Sequence, residues 1–498
     1  MLKRQSVFAS VAAAAVLSGL AAPAFAETLR EAIALAYQTN PTLLAQRAGL
    51  RALDESVPQA RAGLRPQIEV TGTASYSRVD SPDISGIAGT GGVIETDTGG
   101  VSVGLAQTIY SGGRIGHAIS AAEANVLGGR EDLRGIEQQV LASVIQAYVD
   151  VQRDIDILGI RQQNLTVLRR QLDESNARFE VGEITRTDVA QSEARLAQSQ
   201  ADLANAQAQL SVSRAAYAAV VGQAPGTLVT PPPLPGVPTD FDIALNTGLS
   251  ENPAIRSAEY NLQAAEQRVA AARAEYLPSA RLTASYGGQG SPDGFDITDR
   301  TAFQAGATIS IPLFTGGLNQ SRVAQAREQA NAAQIQIEGE RRVVLQNVSS
   351  AYAQVISTRA SLSAGEEGVR AATVAAEGVR QEAQVGLRTT LDVLNQELEL
   401  RNAQILLTNA RRNEYVAQAL LLSAMGRLGG GDLDTTITLY DPAQNGDVVR
   451  YRGALPWDPI VEAIDKIASP PVTPATDAPD APIDTQLKSD IIKTAPAT

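Results

Sequence analysis

The side chains of this 498-residue chain best placed for chemistry lie at two short breaks in helix-forming sequence. "VGEITRTDVAQS" at 181 to 192 and "VGLRTTLDVLNQ" at 385 to 396 share five positions at a constant offset of 204. These are Val181/Val385, Gly182/Gly386, Thr185/Thr389, Asp188/Asp392 and Val189/Val393. Each break sets a carboxylate and hydroxyls just after a Val-Gly turn, and the second adds Arg388. Such a set suits ion pairing and hydrogen bonding. At the least, Arg388 and Asp392, four residues apart, make an exposed intrahelical pair worth roughly a few tenths of a kcal/mol.

The composition excludes most other chemistry. No Cys occurs, so there is no disulfide framework, no thiolate metal site and no acylated N-terminal Cys. His117 is the only His and reads as a surface residue near a helix start, so hydrolase triads and His-rich metal sites fail by count. There is no GxxxxGK[ST], and the Gly cluster at 86 to 92 reads as a flexible turn. No acid-base or nucleophile constellation is present, so the chain is read as a non-enzyme without cofactor or metal. The formal charge of −13 argues against nucleic acid as a partner.

The first 26 residues read as a secretory signal. Lys3 and Arg4 start it, Val7 to Ala22 is apolar and small, and Ala24-Phe25-Ala26 offers a cleavage site before Glu27. Removing those two bases takes −13 to about −15, because the segment carries no acid.

What must position the two breaks is a duplicated body. Asn40-Pro41 matches Asn252-Pro253 and Pro66 matches Pro278 at an offset of 212. From "YSGG" at 110 to 113 against "FTGG" at 314 to 317 the offset is 204, through Ala147-Tyr148/Ala351-Tyr352, Gly182/Gly386 and Gly222/Gly426. The division is a signal over 1–26, a first repeat over 27–223, a Pro-rich linker over 224–240 and a second repeat over 241–430. A C-terminal tail over 431–498, Pro-rich and acidic toward its end, is expected to be mostly disordered.

Each repeat holds a pair of strands, within 67–110 and 279–313. Ile68, Val70, Ala74 and Tyr76 alternate with polar residues, as do Val101, Val103, Leu105 and Ile109. Ala280, Leu282, Ala284 and Tyr286, then Phe303, Ala305, Ala307, Ile309 and Ile311, repeat the pattern. That predicts four strands of roughly 9 to 12 residues, enough to cross a bilayer when tilted. The rest is helical, with no proline from 114 to 224 or from 313 to 441. Leu141, Val144, Tyr148, Val151, Ile155, Leu158, Leu165 and Leu172 form a coiled-coil seam on a helix predicted from Gly116 to Val181, roughly 100 Å long. Segments 42–64 and 186–222, end to end, match its length, as 254–276 and 390–426 do in the second half. Four strands cannot close a barrel, and lipid tolerates no open edge, so several copies must pool theirs.

Across roughly 28 to 440 the chain resembles the TolC family of outer-membrane export ducts. The resemblance rests on the duplicated helix-strand-strand-helix layout, the Asn-Pro pairs, "YSGGR" and "PLFTGG" at the strand-to-helix joints with Gly112, Gly113, Gly316 and Gly317, and the two "VGxxTxxDV" turns. It implies a mostly helical fold with a small β part. A long antiparallel coiled-coil tunnel in the periplasm would join four strands per chain, contributed to a shared trimeric transmembrane β-barrel in outer-membrane lipid. The implied partners are two further copies, a periplasmic membrane fusion adaptor, and an inner-membrane ABC or proton-driven transporter.

The resemblance also implies roles for the breaks. Gly182 and Gly386 mark the tip turns where the tunnel closes. Asp392 faces the pore at the constriction, and Asn395 stands where relatives carry a second carboxylate. Arg388 ties to Thr187 and Asp188 on the first-half turn, unless it is only the surface pair noted above. Ala383 replaces a Tyr that often joins that tie, so the mouth is expected to be less charged and less tightly latched. "LYDPAQNGDVVRYRG" at 439 to 453 resembles the type I secretion branch, and the missing N-terminal Cys argues against the acylated efflux branch. A type I protein secretion system is therefore the favoured setting and a multidrug efflux pump the alternative. A periplasmic coiled-coil adaptor or scaffold stands as the reading from another class.

Overall fold

The computed structural model describes residues 27–81, 92–290, 300–433 and 437–476. The signal, nearly all of the Gly cluster and the last 22 tail residues lie outside the described residues.

The first repeat runs α1 (Leu29–Thr39), α2 (Pro41–Asp54), α3 (Ser56–Arg61), β1 (Gln67–Ser81), β2 (Gly92–Tyr110), α4 (Arg114–Glu180) and α5 (Arg186–Val221). The second runs α6 (Phe241–Glu251), α7 (Pro253–Ala274), β3 (Ser279–Gly290), β4 (Arg300–Ser310), α8 (Leu318–Gln384) and α9 (Thr390–Ala424). The long helices α4 and α8 have 67 residues each, about 100 Å at 1.5 Å per residue. The fold is thus mostly helical, with long paired helices and one small antiparallel sheet.

The Asn-Pro pairs explain how two shorter helices line one long one. Asn40 caps α2 by accepting from the Thr42 amide at 3.0 Å, and Pro41 occupies a first-turn position that needs no donor. Its Nδ2 donates to the Val220 carbonyl at 2.9 Å, at the end of α5. Asn252 repeats both bonds, from Ala254 and to Ala424, each at 2.9 Å. Gly222 and Gly426 follow those helix ends in left-handed conformation, with φ +96° and +81°. At Gly426 a Cβ would lie 2.7 Å from the Glu251 carbonyl oxygen, so the end-to-end junction is closed to a side chain.

The pairing differs in one respect from two independent hairpins. α4 packs on α2 and α5 of its own repeat, but also along α7, which lies between α4 and α8 and contacts both. Gly128 faces Ser257, Tyr260 and Asn261 of α7, and Gly129 faces Leu50 and Leu53 of α2. Along the predicted seam Leu141, Val144, Tyr148, Val151 and Leu165 are buried, whereas Ile155 is exposed and Asp154 is buried in its place, bonded to Arg153 at 2.8 Å. The main core joins both repeats. Leu141, Val144, Ile145 and Tyr148 of α4 meet Ile33 and Tyr37 of α1, Tyr217 of α5 and Leu422 of α9. Glu27 enters it too, with its carboxylate accepting from Tyr217 at 2.6 Å and from the Gly226 amide at 2.9 Å.

The four strands form one antiparallel sheet in chain order, so β2 and β3 join the repeats and β1 and β4 are its two edges. Register places Ile68, Leu105, Ala284 and Ala305 in one cross-strand row, and Val70, Val103, Tyr286 and Phe303 in the next. The apolar residues therefore share a single face across both repeats. The opposite face carries rows such as Glu69, Gly104, Ser285 and Gln304. β1 and β2 are longer than predicted, at 15 and 19 residues, because they continue past the apolar band to a polar region where Arg78 pairs with Glu95 at 3.2 Å. An irregularity between Thr108 and Tyr110 takes Ile109 out of the ladder, and Ile311 lies beyond the end of β4.

The expected disorder of the tail is corrected over its described part. Short helices α10 (Gly430–Leu433), α11 (Gln444–Val449) and α12 (Asp458–Asp465) form there. The segment runs from the core to the first strand-to-helix joint through Asn445–Asp54 at 2.7 Å and Asp458–Arg65 at 2.8 Å. Fully buried Asp465 accepts from the Ser111 amide at 2.5 Å, the Ser111 hydroxyl at 2.8 Å and the Gly116 amide at 3.2 Å. Gly113, at the N-cap of α4, has no side chain to do this. A segment too polar to form its own core gains order by satisfying a helix start that is already fixed. His117 contributes to the same contact, bonding Gln267 at 2.9 Å and Ser469 at 2.8 Å.

Asp465→Asn replaces an acceptor-only carboxylate with a group that has one acceptor oxygen, leaving buried donors unmatched. The expected cost is about 1–3 kcal/mol, read as a lower denaturant midpoint, and an unchanged midpoint contradicts the capping role.

Candidate functional site

At the end farthest from the sheet, α4 and α8 stop in the same way. Gly182 and Gly386 adopt φ +80° and +81°, which only a residue lacking Cβ takes without strain. The Glu183 amide reaches back to the Arg178 carbonyl and Leu387 to Glu382, each at 2.9 Å, closing a left-handed C-terminal cap on both helices. Val181, Val385 and Leu387 are left 72% or more exposed at these turns.

The helices that follow begin in capping boxes. Thr185 Oγ1 accepts from the Asp188 amide at 3.4 Å, and the Asp188 carboxylate accepts from the Thr185 amide at 2.9 Å and its hydroxyl at 2.8 Å. Thr389 and Asp392 repeat the arrangement at 3.2, 3.0 and 2.8 Å. The shared T-x-x-D is therefore the signature of a helix start, a signal present in both motifs that the functional reading of these residues passed over. Both carboxyls are held below the usual carboxylate range, first by the amide and then by the hydroxyl of their threonine.

The structure brings only some of the predicted site residues together. Arg388 bonds Glu382 through Nε at 2.8 Å, within its own turn, instead of Thr187 or Asp188. That bond, with the nearby Asp392 charge as a smaller effect, raises its already high pKa. Asn395, expected only as a polar substitute at the constriction, accepts from Arg195 Nη2 at 3.1 Å, which links α5 to α9 across the two repeats. No pattern marked Arg195, because its partner lies 200 residues away.

Above the turns the two coils differ. Between α8 and α9, Glu397 is buried between Arg380 and Arg401, with Arg401 Nη2 at 3.1 Å. The first coil has Asn176, Glu193 and Ala197 at the corresponding places and holds a Ser175–Ser192 hydroxyl pair at 3.2 Å. Removing either arginine would leave the buried Glu397 carboxylate with a single charged partner.

The strand-to-helix joints also repeat in backbone but not in surroundings. Gly112 and Gly113 have φ +65° and +82°, and Gly316 and Gly317 have +62° and +86°. A Cβ on Gly112 would meet Leu277 at 2.6 Å and one on Gly113 would meet Ser469 at 2.6 Å, whereas the second joint is open. Among the described residues no group of His, Asp or Glu is placed to hold a metal ion.

The tip geometry predicts a pH response with a definite sign. Lowered folded-state pKa values mean that the cap interaction is complete above the ordinary Asp value of about 3.9 and is lost as pH falls through the lower folded value. Amide-exchange protection factors in the first turns of α5 and α9 should be flat from pH 8 to about 5 and fall only below about 4. Asp392→Asn should lose protection in α9 at every pH. A loss between pH 7 and 5 in the parent protein would show that another group controls the turn.

Comparison with known proteins agrees with this architecture. A family model described as "Outer membrane efflux protein" matches residues 32–223 and 244–427, which are the two repeats. The outer membrane efflux protein BepC of Brucella suis biovar 1 (strain 1330) is 36% identical over 448 residues, covering 89% of this chain and 95% of that protein. The outer membrane protein TolC of Escherichia coli (strain K12) is 27% identical over 434 residues, covering 84% and 86%. The crystal structure of the outer membrane protein VceC from Vibrio cholerae shares the fold, with a TM-score of 0.66 at 23% identity over 80% of this chain and 96% of that one. The chain belongs to the outer membrane efflux protein family that includes TolC, and it is an outer-membrane channel-tunnel of export whose helical body spans the periplasm.

Proposed function

We propose that this chain is one third of a passive exit duct and that the duct serves an efflux system. The observation that carries this reading is the sheet. Ile68, Val70, Tyr76, Phe303 and Ile309 on its apolar face are each 62% or more exposed, and among the described residues its edges β1 and β4 have no partner strand. Three copies would pool twelve strands into one barrel, with the polar face lining water and the long helices continuing the wall into the periplasm. A periplasmic scaffold gives no reason for that apolar face. Energy then comes from a partner, an inner-membrane ABC or proton-driven transporter reached through a periplasmic adaptor. The exposed Val181, Val385 and Leu387 suit an end-on contact with such an adaptor.

Efflux is preferred to type I secretion, the setting favoured by sequence alone, because BepC, 36% identical over 89% of this chain, is named an efflux protein. Secretion remains the second reading, on the resemblance of the segment at 439 to 453.

Asp392 and Asn395 are proposed to line the constriction at the tip, with Asp392 also capping α9. Closure would move Arg388 from Glu382 to Thr187 and Asp188, while Arg195 and Asn395 keep the two repeats in register. Planar-bilayer recordings from the folded oligomer should show a small resting conductance, and Arg388→Ser should raise it by at least about twofold, the scale of a weak exposed ion pair. An unchanged resting state would return Arg388 to the helix surface. No conductance from intact oligomer would overturn the duct.

A further inference from the structure

Where the sheet meets the helices the chain forms an open cavity of about 590 Å³. Its walls come from both repeats, and Gln67, Ala106, Thr108 and Arg281 place it on the polar face of the sheet. In a chain of formal charge −13, five arginines line it, Arg65, Arg114, Arg268, Arg281 and Arg322, against one carboxylate, Glu275. Two of the five are neutralised: Arg65 by Asp458 at 2.8 Å and Arg322 by Glu275 at 2.7 Å. Arg268 donates to the uncharged Asn125 side chain at 3.2 Å and keeps its charge. Among the described residues Arg114 and Arg281 have neither an ion pair nor a side-chain hydrogen bond.

The surroundings reinforce the charge. Arg114 opens α4, whose N-terminal dipole also favours an anion. Asp465, the nearby tail carboxylate, is already engaged by the Ser111 and Gly116 donors. The rest of the lining is mixed: Ala106, Ile115, Ala118, Ala271 and Ala272 give it an apolar floor beside the uncharged polar Gln59, Gln67 and Thr108. Arg281, Gln67 and Ala106 also line a second cavity farther along the polar face, bordered by Glu69, Thr283, Ser285 and Gln304, so the site opens toward the strands.

We infer that this joint is a binding station for amphipathic anions passing from the helical tunnel into the barrel. The carboxylate or phosphate of such a ligand would be taken by Arg114 and Arg281, and its hydrocarbon body would lie on the alanine floor. The inference rests on the duct reading only for the direction of passage; the binding itself requires only the cavity.

The test uses decanoate as the anion, decyltrimethylammonium as the cation of matched body, and inorganic phosphate as the anion without a body. Binding of labelled probe to the full-length oligomer in nanodiscs is measured against empty discs, alongside block of single-channel current. Decanoate should bind and block. The Arg114→Gln/Arg281→Gln double variant should weaken both effects by roughly tenfold or more, the scale of losing charge-assisted hydrogen bonds. Retention of the detergent-resistant oligomer reports that the variant folds, and Arg114→Lys/Arg281→Lys should restore most of the affinity. Equal decanoate binding by parent and double variant overturns the site, as does equal binding of decyltrimethylammonium. Phosphate binding as tightly as decanoate, with the same arginine dependence, overturns the amphipathic ligand. Binding without conductance would leave the station standing and remove the duct.

Discussion

An unpaired backbone donor or acceptor in hydrocarbon costs several kcal/mol, so a sheet edge that faces lipid must find a partner. One sheet of four strands with an apolar face and two free edges cannot meet that condition within one chain. Much else about the molecule follows. The two repeats meet at β2 and β3 so that their apolar residues share a face, and α7 lies between α4 and α8 so that the helical layer beneath stays continuous. In the proposed duct the open edges β1 and β4 are the surfaces through which copies join.

The duplication supplies the same devices twice, and the halves differ at the strand-to-helix joint and near the tip. Both repeats use an Asn-Pro cap to hold two shorter helices end to end, a glycine to end each long helix and a Thr-x-x-Asp box to start the next. Among the described residues only the first joint is covered, by Leu277 and the tail, and only the second coil has a buried Glu397–Arg401 pair with Arg380 at its surface.

Local physics made much of this legible in the sequence. Strand alternation at Ile68 to Tyr76, the proline-free spans, the glycine breaks and the offset of 204 each depend on residues close in sequence, so the layout could be read directly. What stayed hidden depends on neighbours brought together by packing. The expected tie of Arg388 to Thr187 and Asp188 is replaced within the chain by Glu382, six residues away, and Asn395 is joined by Arg195 from the other repeat. The composition of the tail predicts disorder, yet Asp465 is ordered by a helix start some 350 residues earlier in the chain. The five arginines of the cavity come from five separate elements or joints, so no window of sequence displays it.

The claim at the centre is that β1 of one copy completes its pairing with β4 of the next. The absence of Cys from the chain allows a direct measurement. Val70→Cys on β1 is combined in turn with Cys at Phe303, Ala305 or Ala307 on β4, and membranes are treated with a short bismaleimide. The account predicts a ladder that stops at three linked chains for at least one pairing. Monomer alone at every position, or ladders that run on past three, would contradict it.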